Sequence, residues 1–178
     1  MQKRRNWWCV TAVLLFILSG CTGVPDNVQP VTGFELSRYL GTWYEVARFD
    51  HSFEDGLSEV TATYSMRDDG GVNVINKGFS KEDNSWDEAQ GRAFFVGEPS
   101  TGHLKVSFFG PFYASYVIMS LDKKNYQYAL VTGPDKDFLW ILARTPSLPE
   151  STIKQLLSTA QQAGYDTDKL IWVEHSTQ

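Results

Sequence analysis

One thiol near the start of the chain has neighbours that suit it for covalent modification. Cys21 is a potential nucleophile, and the residues just before it (18–20, Leu-Ser-Gly) end in small side chains that a peptidase can accept. Further upstream, three basic residues at 3–5 precede an almost entirely apolar run at 7–18. This order is typical of a secretory signal rather than of a domain element. The run is also short for a membrane span, which takes about 20 apolar residues.

The end of this segment resembles the lipobox of bacterial lipoproteins. The resemblance implies that Cys21 receives a diacylglyceryl thioether and, after cleavage, becomes the acylated first residue that attaches the protein to a membrane. It divides the start of the chain into a signal peptide at 1–20 and a lipidated tether at 21–33, where two prolines and no periodicity occur. Because residue 22 is a threonine and not an aspartate, the resemblance implies that the protein is lipid-anchored in the outer membrane with the domain facing the periplasm. An ordinary signal peptide with a nearby cysteine is the alternative.

The amino-acid composition limits the kinds of molecule that the protein is predicted to bind. The formal net charge is −5, and loss of residues 1–20 removes three basic residues and no acids, which leaves −8. Nucleic acid requires a basic footprint, so no nucleic-acid partner is predicted. Cys9 leaves with the signal, and Cys21 alone cannot form an intramolecular disulfide. An aromatic content of 14% exceeds the need of a small core and favours an apolar binding site.

From Trp43 onward the chain shows short alternating runs separated by turn signals, which is typical of β-strands in a sandwich or barrel. Short turns without crossover helices predict antiparallel pairing of neighbours, and closure into a barrel removes exposed edges. We therefore predict an all-β fold, an eight-stranded antiparallel up-and-down β-barrel. The predicted strands cover 43–48, 60–66, 72–76, 91–96, 104–109, 116–121, 126–132 and 138–144.

One segment departs from the strand pattern. Ser147–Glu150 has the spacing of a capping box, apolar residues at helical spacing follow, and Gly164 is the expected stop. These signals predict one C-terminal α-helix packed outside the barrel. A final short strand is predicted at 170–173.

Three short motifs resemble those of the lipocalins. Gly41 and Trp43 form a Gly-x-Trp motif at the head of the first strand, residues 132–135 match the second motif without its usual aromatic residue, and Arg144 closes the last barrel strand. The resemblance covers roughly 34–173, and 34–178 is predicted as the lipocalin domain. With the lipobox, it points to the bacterial outer-membrane lipocalins, relatives of apolipoprotein D. It implies storage or transport of fatty acids or lysophospholipids in envelope maintenance, and a homodimer.

The first and third motifs have a structural explanation of their own. A barrel must be plugged at one end to form a cup, and Trp43 is large enough to fill the floor. Arg144 can lie across its indole as a cation–π contact, while Gly41 allows close backbone approach. These three residues are predicted to be structural rather than to bind ligand.

Side-chain alternation predicts which residues face the cavity. If Trp43 points inward, Glu45 and Ala47 do too. Small inward residues leave space, and a barrel of this size can hold one small ligand. The predicted ligand-binding residues are Glu45, Tyr64, Met66, Val74, Asn76, Phe108, Tyr116, Phe138 and Trp140.

Several polar and aromatic residues leave alternatives open. Glu45 needs a partner or a raised pKa if it is buried, and belongs either to a structural network or to a polar handle for the ligand. His51, in a possible lid at 49–56, is predicted to be solvated rather than a ligand. The aromatic residues of 108–113 form either ordinary strand packing or an apolar lip that admits acyl chains or a second subunit. Lys77, Arg92 and Lys105 are the candidate cations for an acidic head group.

No catalytic or metal-binding motif is present in the sequence. There is no nucleophile elbow and no phosphate-binding glycine loop, and the three histidines are dispersed without a cysteine cluster for zinc. No cofactor or metal and no enzymatic activity are predicted. A lipid-modifying envelope enzyme and a solid structural barrel that docks a partner remain the alternatives.

Overall fold

The computed structural model describes residues 22–176. The predicted signal peptide and Cys21 lie outside the described residues. No helix in 22–176 is both long and apolar enough to cross a membrane. Within this part the strands are β1 (Gly41–Arg48), β2 (Leu57–Met66), β3 (Val72–Ser80), β4 (Ser85–Phe95), β5 (His103–Ser107), β6 (Ala114–Leu121), β7 (Tyr128–Thr132), β8 (Leu139–Ala143) and β9 (Ile171–Trp172), and the helices are α1 (Leu36–Tyr39) and α2 (Glu150–Gln162).

The first eight strands close into an antiparallel barrel. Each strand pairs with its neighbour in sequence, and β1 pairs with both β8 and β2, which closes the ring. The fold class predicted from the alternating runs is therefore confirmed. The β1–β2 ladder is short and runs only from Gly41–Tyr64 to Tyr44–Thr61. Beyond it, β1 pairs with the added strand β9 through Ala47 and Arg48.

A meander places alternate connections at opposite ends of the barrel. The connections β1–β2, β3–β4, β5–β6 and β7–β8 lie at one end, which we call the mouth. The other connections and α1 lie at the opposite end, the closed end. The short helix α1 had no counterpart in the sequence prediction, because its four residues carry too little periodicity to be recognised.

Helix α2 packs outside the barrel, as predicted. Leu156 and Ala160 are fully buried against an outer cluster that includes Leu139 and Ile141 of β8. The helix ends before Gly164, whose φ of +89° suits glycine. The predicted capping box is wrong, because the helix begins after Pro149 without a side-chain cap hydrogen bond.

The predicted tether lies against the barrel rather than extending from it. The Ser115 hydroxyl donates to the Gly23 carbonyl at 2.6 Å, and Val28 is buried in the outer cluster. The Val31 amide donates to Ile118 O at 2.9 Å, and its carbonyl accepts from the Gly102 amide at 2.8 Å. The described part of the segment, 22–33, is thus fixed by backbone pairing and apolar contacts.

Candidate functional site

Trp43 and Arg144 form the floor of the closed end. The Trp43 side chain is fully buried, and its indole N–H donates to Tyr39 O at 2.8 Å. The Arg144 guanidinium lies 4.0 Å from the centre of the indole ring, so the predicted cation–π contact is present. It also donates to the carbonyls of Thr42 and Leu40, both at 2.8 Å. Among the described residues, no buried side-chain donor at this end lacks a hydrogen-bond partner, which suits a rigid plug.

Three tyrosines lie above this floor with their hydroxyl groups together. The Tyr116 hydroxyl is 2.8 Å from the Tyr39 hydroxyl and 2.9 Å from that of Tyr64. Burial raises the pKa of all three phenols, so they remain neutral near pH 7. The lower part of the cup is therefore uncharged.

Most of the predicted ligand-binding residues meet in the barrel interior. Tyr64 and Val74 are buried in an inner cluster, and Phe108, Tyr116 and Trp140 pack against it while remaining half-buried. Asn76 faces the same side of β3 as Val74, and its buried Oδ1 accepts no hydrogen bond from any described residue. A half-buried aromatic wall with a free acceptor suits an amphipathic ligand.

Met66 does not belong to this set. The side chain is 51% exposed and lies at the closed end, because β2 continues past the first residue of β1, where Gly41 pairs with Tyr64. Alternation assigned the correct face, but the strand outruns the barrel. The prediction that Met66 lines the inside of the cup is therefore wrong.

A β-bulge in β1 changes which of its residues face inward. The register with β8 shifts between Glu45, which pairs with Leu142, and Ala47, which pairs with Ile141. Ala47 therefore packs in the outer cluster under α2, and the prediction that it faces the cavity is wrong. The same shift turns Arg48 inward, where it pairs with Trp140. Strict alternation would have placed Arg48 outside.

Glu45, Arg48 and Glu54 form a buried charged group near the mouth, which we call the triad. The Arg48 guanidinium donates to Glu45 Oε1 at 3.3 Å and to the Glu54 backbone carbonyl at 2.5 Å, and its Nε lies 3.8 Å from Glu54 Oε2. All three residues are at most 6% exposed. Glu45 was predicted from the sequence, but Arg48 and Glu54 were not, because strict alternation places Arg48 on the face opposite to Glu45 and Glu54 lies in a loop.

The triad holds more acid than one cation neutralises. Burial raises the pKa of Glu45 well above its ordinary 4.5, the nearby Glu54 raises it further, and Arg48 opposes both effects. Burial also raises the pKa of Glu54, against a hydrogen bond from Trp140 Nε1 at 3.3 Å. One carboxyl group of the pair therefore tends to keep its proton.

The loop that joins β1 and β2, residues 49–56, covers part of the mouth. His51 is only 8% exposed, and its ring stacks on Phe138 with centroids 4.7 Å apart and on Phe53 at 5.1 Å. The prediction of a solvated histidine is therefore wrong, because the neighbouring rings exclude water. Burial lowers its pKa, and its buried Nε2 makes no hydrogen bond to a described residue.

The three cations proposed for the head group lie on the outer face. Lys77 alternates with inward Val74 and Asn76 and lies over the Trp86 ring at 4.5 Å. Arg92 and Lys105 both lie near the outer ring of Tyr113, at 5.8 and 5.1 Å. The inward cation near the mouth is Arg48 instead.

The β5–β6 connection carries exposed aromatic side chains at the mouth. Phe109 is 84% exposed and Phe112 is 68% exposed, while Phe108 packs inward. Of the two readings left open, the exposed pair favours an apolar lip over simple strand packing. Apolar side chains grouped in this way are normally covered or used.

Comparison with known proteins identifies the family. Residues 34–175 match the model of the lipocalin-like domain. The chain is 52% identical to outer membrane lipoprotein Blc of Vibrio cholerae, over 89% of this chain and 92% of that protein, and 35% identical to apolipoprotein D of Mus musculus, over 87% and 82%. Insecticyanin of Manduca sexta shares the fold with a TM-score of 0.69 at 24% identity, over 86% of this chain and 87% of that one. The chain therefore belongs to the lipocalin-like family.

Proposed function

We propose that this protein is an outer-membrane lipoprotein that binds a fatty acid or a lysophospholipid and stores or transports it in envelope maintenance. The identity of about half of the residues to outer membrane lipoprotein Blc of two bacteria, Vibrio cholerae and Escherichia coli, supports the location. Acylation of Cys21 is the attachment that this location requires, and the domain then faces the periplasm.

The division of the cup carries the proposal. Its lower part is apolar and neutral around Tyr64, Val74 and Tyr116, and its upper part carries a buried charged group around Arg48. An amphipathic lipid has the same division, because its chain gains about 0.8 kcal/mol per buried CH₂ while its head remains polar. Longer acyl chains are expected to bind more tightly than shorter ones.

A lipid titration tests this function. Residues 22–178 would be delipidated and titrated with palmitate and palmitoyl lysophosphatidylcholine, with tryptophan fluorescence as the signal. Saturable quenching or a blue shift is expected, and Trp140→Ala is expected to weaken lipid binding. Trp86→Ala, a change at a 52% exposed outer-face ring, is the matched control. No response to either lipid would contradict lipid binding and favour a barrel that docks a partner.

The same arrangement supports a binding role rather than a catalytic one. The matching family is the lipocalin-like domain and its relatives carry lipoprotein names rather than enzyme names, and the charged residues near the mouth are held in ion pairs. Incubation with lysophospholipid followed by mass spectrometry tests this point. Recovery of unchanged lipid is expected, and turnover would favour the enzymatic alternative.

The apolar lip supports a homodimer. Phe109 and Phe112 present two exposed rings on the same β5–β6 connection, and a second copy would bury them. Light scattering of residues 22–178 is expected to give a dimer mass, and the Phe109→Ser, Phe112→Ser double variant a monomer mass. A dimer that survives the double change would place the contact elsewhere.

A further inference from the structure

Arg48 has unused binding capacity although it is almost fully buried. Its side chain is 2% exposed, so water cannot readily satisfy it, and its Nε makes no hydrogen bond to a described residue. The nearest oxygen, Glu54 Oε2, lies 3.8 Å away, beyond hydrogen-bonding distance. A buried donor without a partner is costly, and here it belongs to a guanidinium suited to planar two-oxygen acids.

The acid that faces this donor is on a loop and not on the barrel wall. Glu45 is fixed in β1 by its pairing with Leu142, whereas Glu54 belongs to the connection 49–56. A groove of about 230 Å³ borders this connection and is lined by Arg48, Asp50, Asp55 and Gly56 together with residues of β2 and β9. Open space therefore reaches Arg48 beside the loop that carries Glu54.

Departure of Glu54 relieves a conflict within the triad. Two buried carboxyl groups share one guanidinium, and each raises the free energy of ionising the other. In water Glu54 regains full solvation, and Glu45 keeps its bond to Arg48 Nη1. An incoming acid can then take the place of the Glu54 carboxylate.

We propose that Arg48 is the specificity-determining residue of the cup and binds the acidic group of the lipid, a carboxylate or a phosphate, in exchange for Glu54. This inference rests on the proposed lipid-binding function. The neighbouring half-buried ring of Trp140, which pairs with Arg48 across the ladder, covers the upper part of the chain. The free Oδ1 of Asn76, on β3 two strands from β1, is available for a hydroxyl of a glycerol backbone.

Three lipids with the same palmitoyl chain test the exchange in residues 22–178. Palmitate carries a carboxylate, palmitoyl lysophosphatidate carries a phosphate, and monopalmitoylglycerol is neutral. Arg48→Gln is expected to weaken binding of the two acidic lipids by about tenfold or more. Binding of the neutral lipid is expected to weaken by less than about twofold. The stronger loss between the two acids identifies the source of the anion. Arg92→Gln, on the outer face, is the matched control and should change none of the three.

Two further variants keep the test decisive if Arg48→Gln does not fold. Arg48→Lys preserves the charge and is expected to retain part of the preference for acids. Glu54→Gln removes the competing charge and is expected to tighten binding of both acidic lipids severalfold. If Glu54 were merely structural, the same substitution would weaken binding of all three lipids.

The outcomes separate this inference from the function on which it rests. If no lipid binds the wild-type protein, both proposals fail. If all three bind equally, or if Arg48→Gln and Glu54→Gln weaken all three alike, the protein binds lipid but Arg48 does not select it.

Discussion

The closed end and the mouth of this barrel are built from the same residue types but differ in how completely those residues are satisfied. At the closed end, Arg144 rests on Trp43 and donates to several backbone carbonyls. At the mouth, Arg48 is equally an inner-wall arginine near a tryptophan, but its Nε lacks a hydrogen bond within the described residues. A saturated arginine stabilises the fold, while an unsaturated one retains capacity for a ligand. The closed end therefore stabilises the fold, and under the proposal above the mouth selects the ligand.

Replacing Trp43 and, separately, Trp140 by alanine should give the largest difference between the closed end and the mouth. Trp43→Ala is expected to lower the free energy of unfolding by about 3–5 kcal/mol, because a fully buried ring leaves a cavity. Trp140→Ala removes a half-buried ring and is expected to cost about 1–2 kcal/mol, but to weaken lipid binding more. Urea denaturation and lipid titration of both variants measure the two effects. The comparison breaks if Trp43→Ala, while still folded, weakens lipid binding more than Trp140→Ala does.

The pH dependence of stability should come from the mouth. Because the pKa of Glu45 is raised in the folded state, its contribution is fully present below its unfolded pKa near 4.5 and is lost as pH rises toward the folded value. Each pH unit in that window costs about 1.4 kcal/mol. Denaturation from about pH 5 to about pH 8 should show a smaller decline in Glu45→Gln than in the wild type. Glu88→Gln, at an exposed site on β4, is the control. Equal declines in wild type and Glu45→Gln would argue against the raised pKa.

Arg144→Lys tests whether the several hydrogen bonds donated by the planar guanidinium of Arg144 stabilise the closed end. A lysine keeps the charge but cannot reach several carbonyls at once, so a loss of about 1–3 kcal/mol in unfolding free energy is expected. Arg92→Lys changes an outer-face cation and should stay within about 0.5 kcal/mol. Urea denaturation measures both. If the two variants behave alike, the saturation of Arg144 is not what stabilises this end.

The smallest effect is expected at the tyrosines. Tyr116→Phe removes the hydroxyl that links Tyr39 and Tyr64 and should cost about 1–2 kcal/mol, because two buried hydroxyls lose a partner. Tyr44→Phe is the control, since no described residue forms a side-chain hydrogen bond with its half-buried hydroxyl. Thermal unfolding distinguishes them, and an unchanged midpoint in Tyr116→Phe would make the hydroxyl network dispensable.

Periodicity was sufficient to predict the barrel but not every side-chain direction. The eight runs and the outer helix follow from local patterns, because a strand has a period of two and a helix a period near 3.6. The contact of Trp43 with Arg144 follows instead from the resemblance to the lipocalin motifs. The bulge after Glu45 adds one residue to one strand only, so the direction of Arg48 depends on pairing with β8. Nothing within the 41–48 sequence marks it.

Burial in loops was equally hidden from the sequence. His51 has the neighbours of a solvated residue in the chain, Asp50 and Ser52, yet Phe138 covers it from a connection far along the sequence. Glu54 is likewise buried through Arg48 and Trp140. Alternation also cannot show where a barrel ends, which is why Met66 was assigned to the interior.

The packed start of the domain limits how far the protein can travel. Because the segment from Gly23 to Val31 is bonded to β6 and its surroundings, an acyl group on Cys21 would leave only one or two free residues, a reach of about 3.5 Å each. A barrel anchored through Cys21 at this distance would not cross the periplasm to a second membrane. Under the proposed function, its cargo would then arrive and depart along the same bilayer surface, or be handed over by a diffusing carrier.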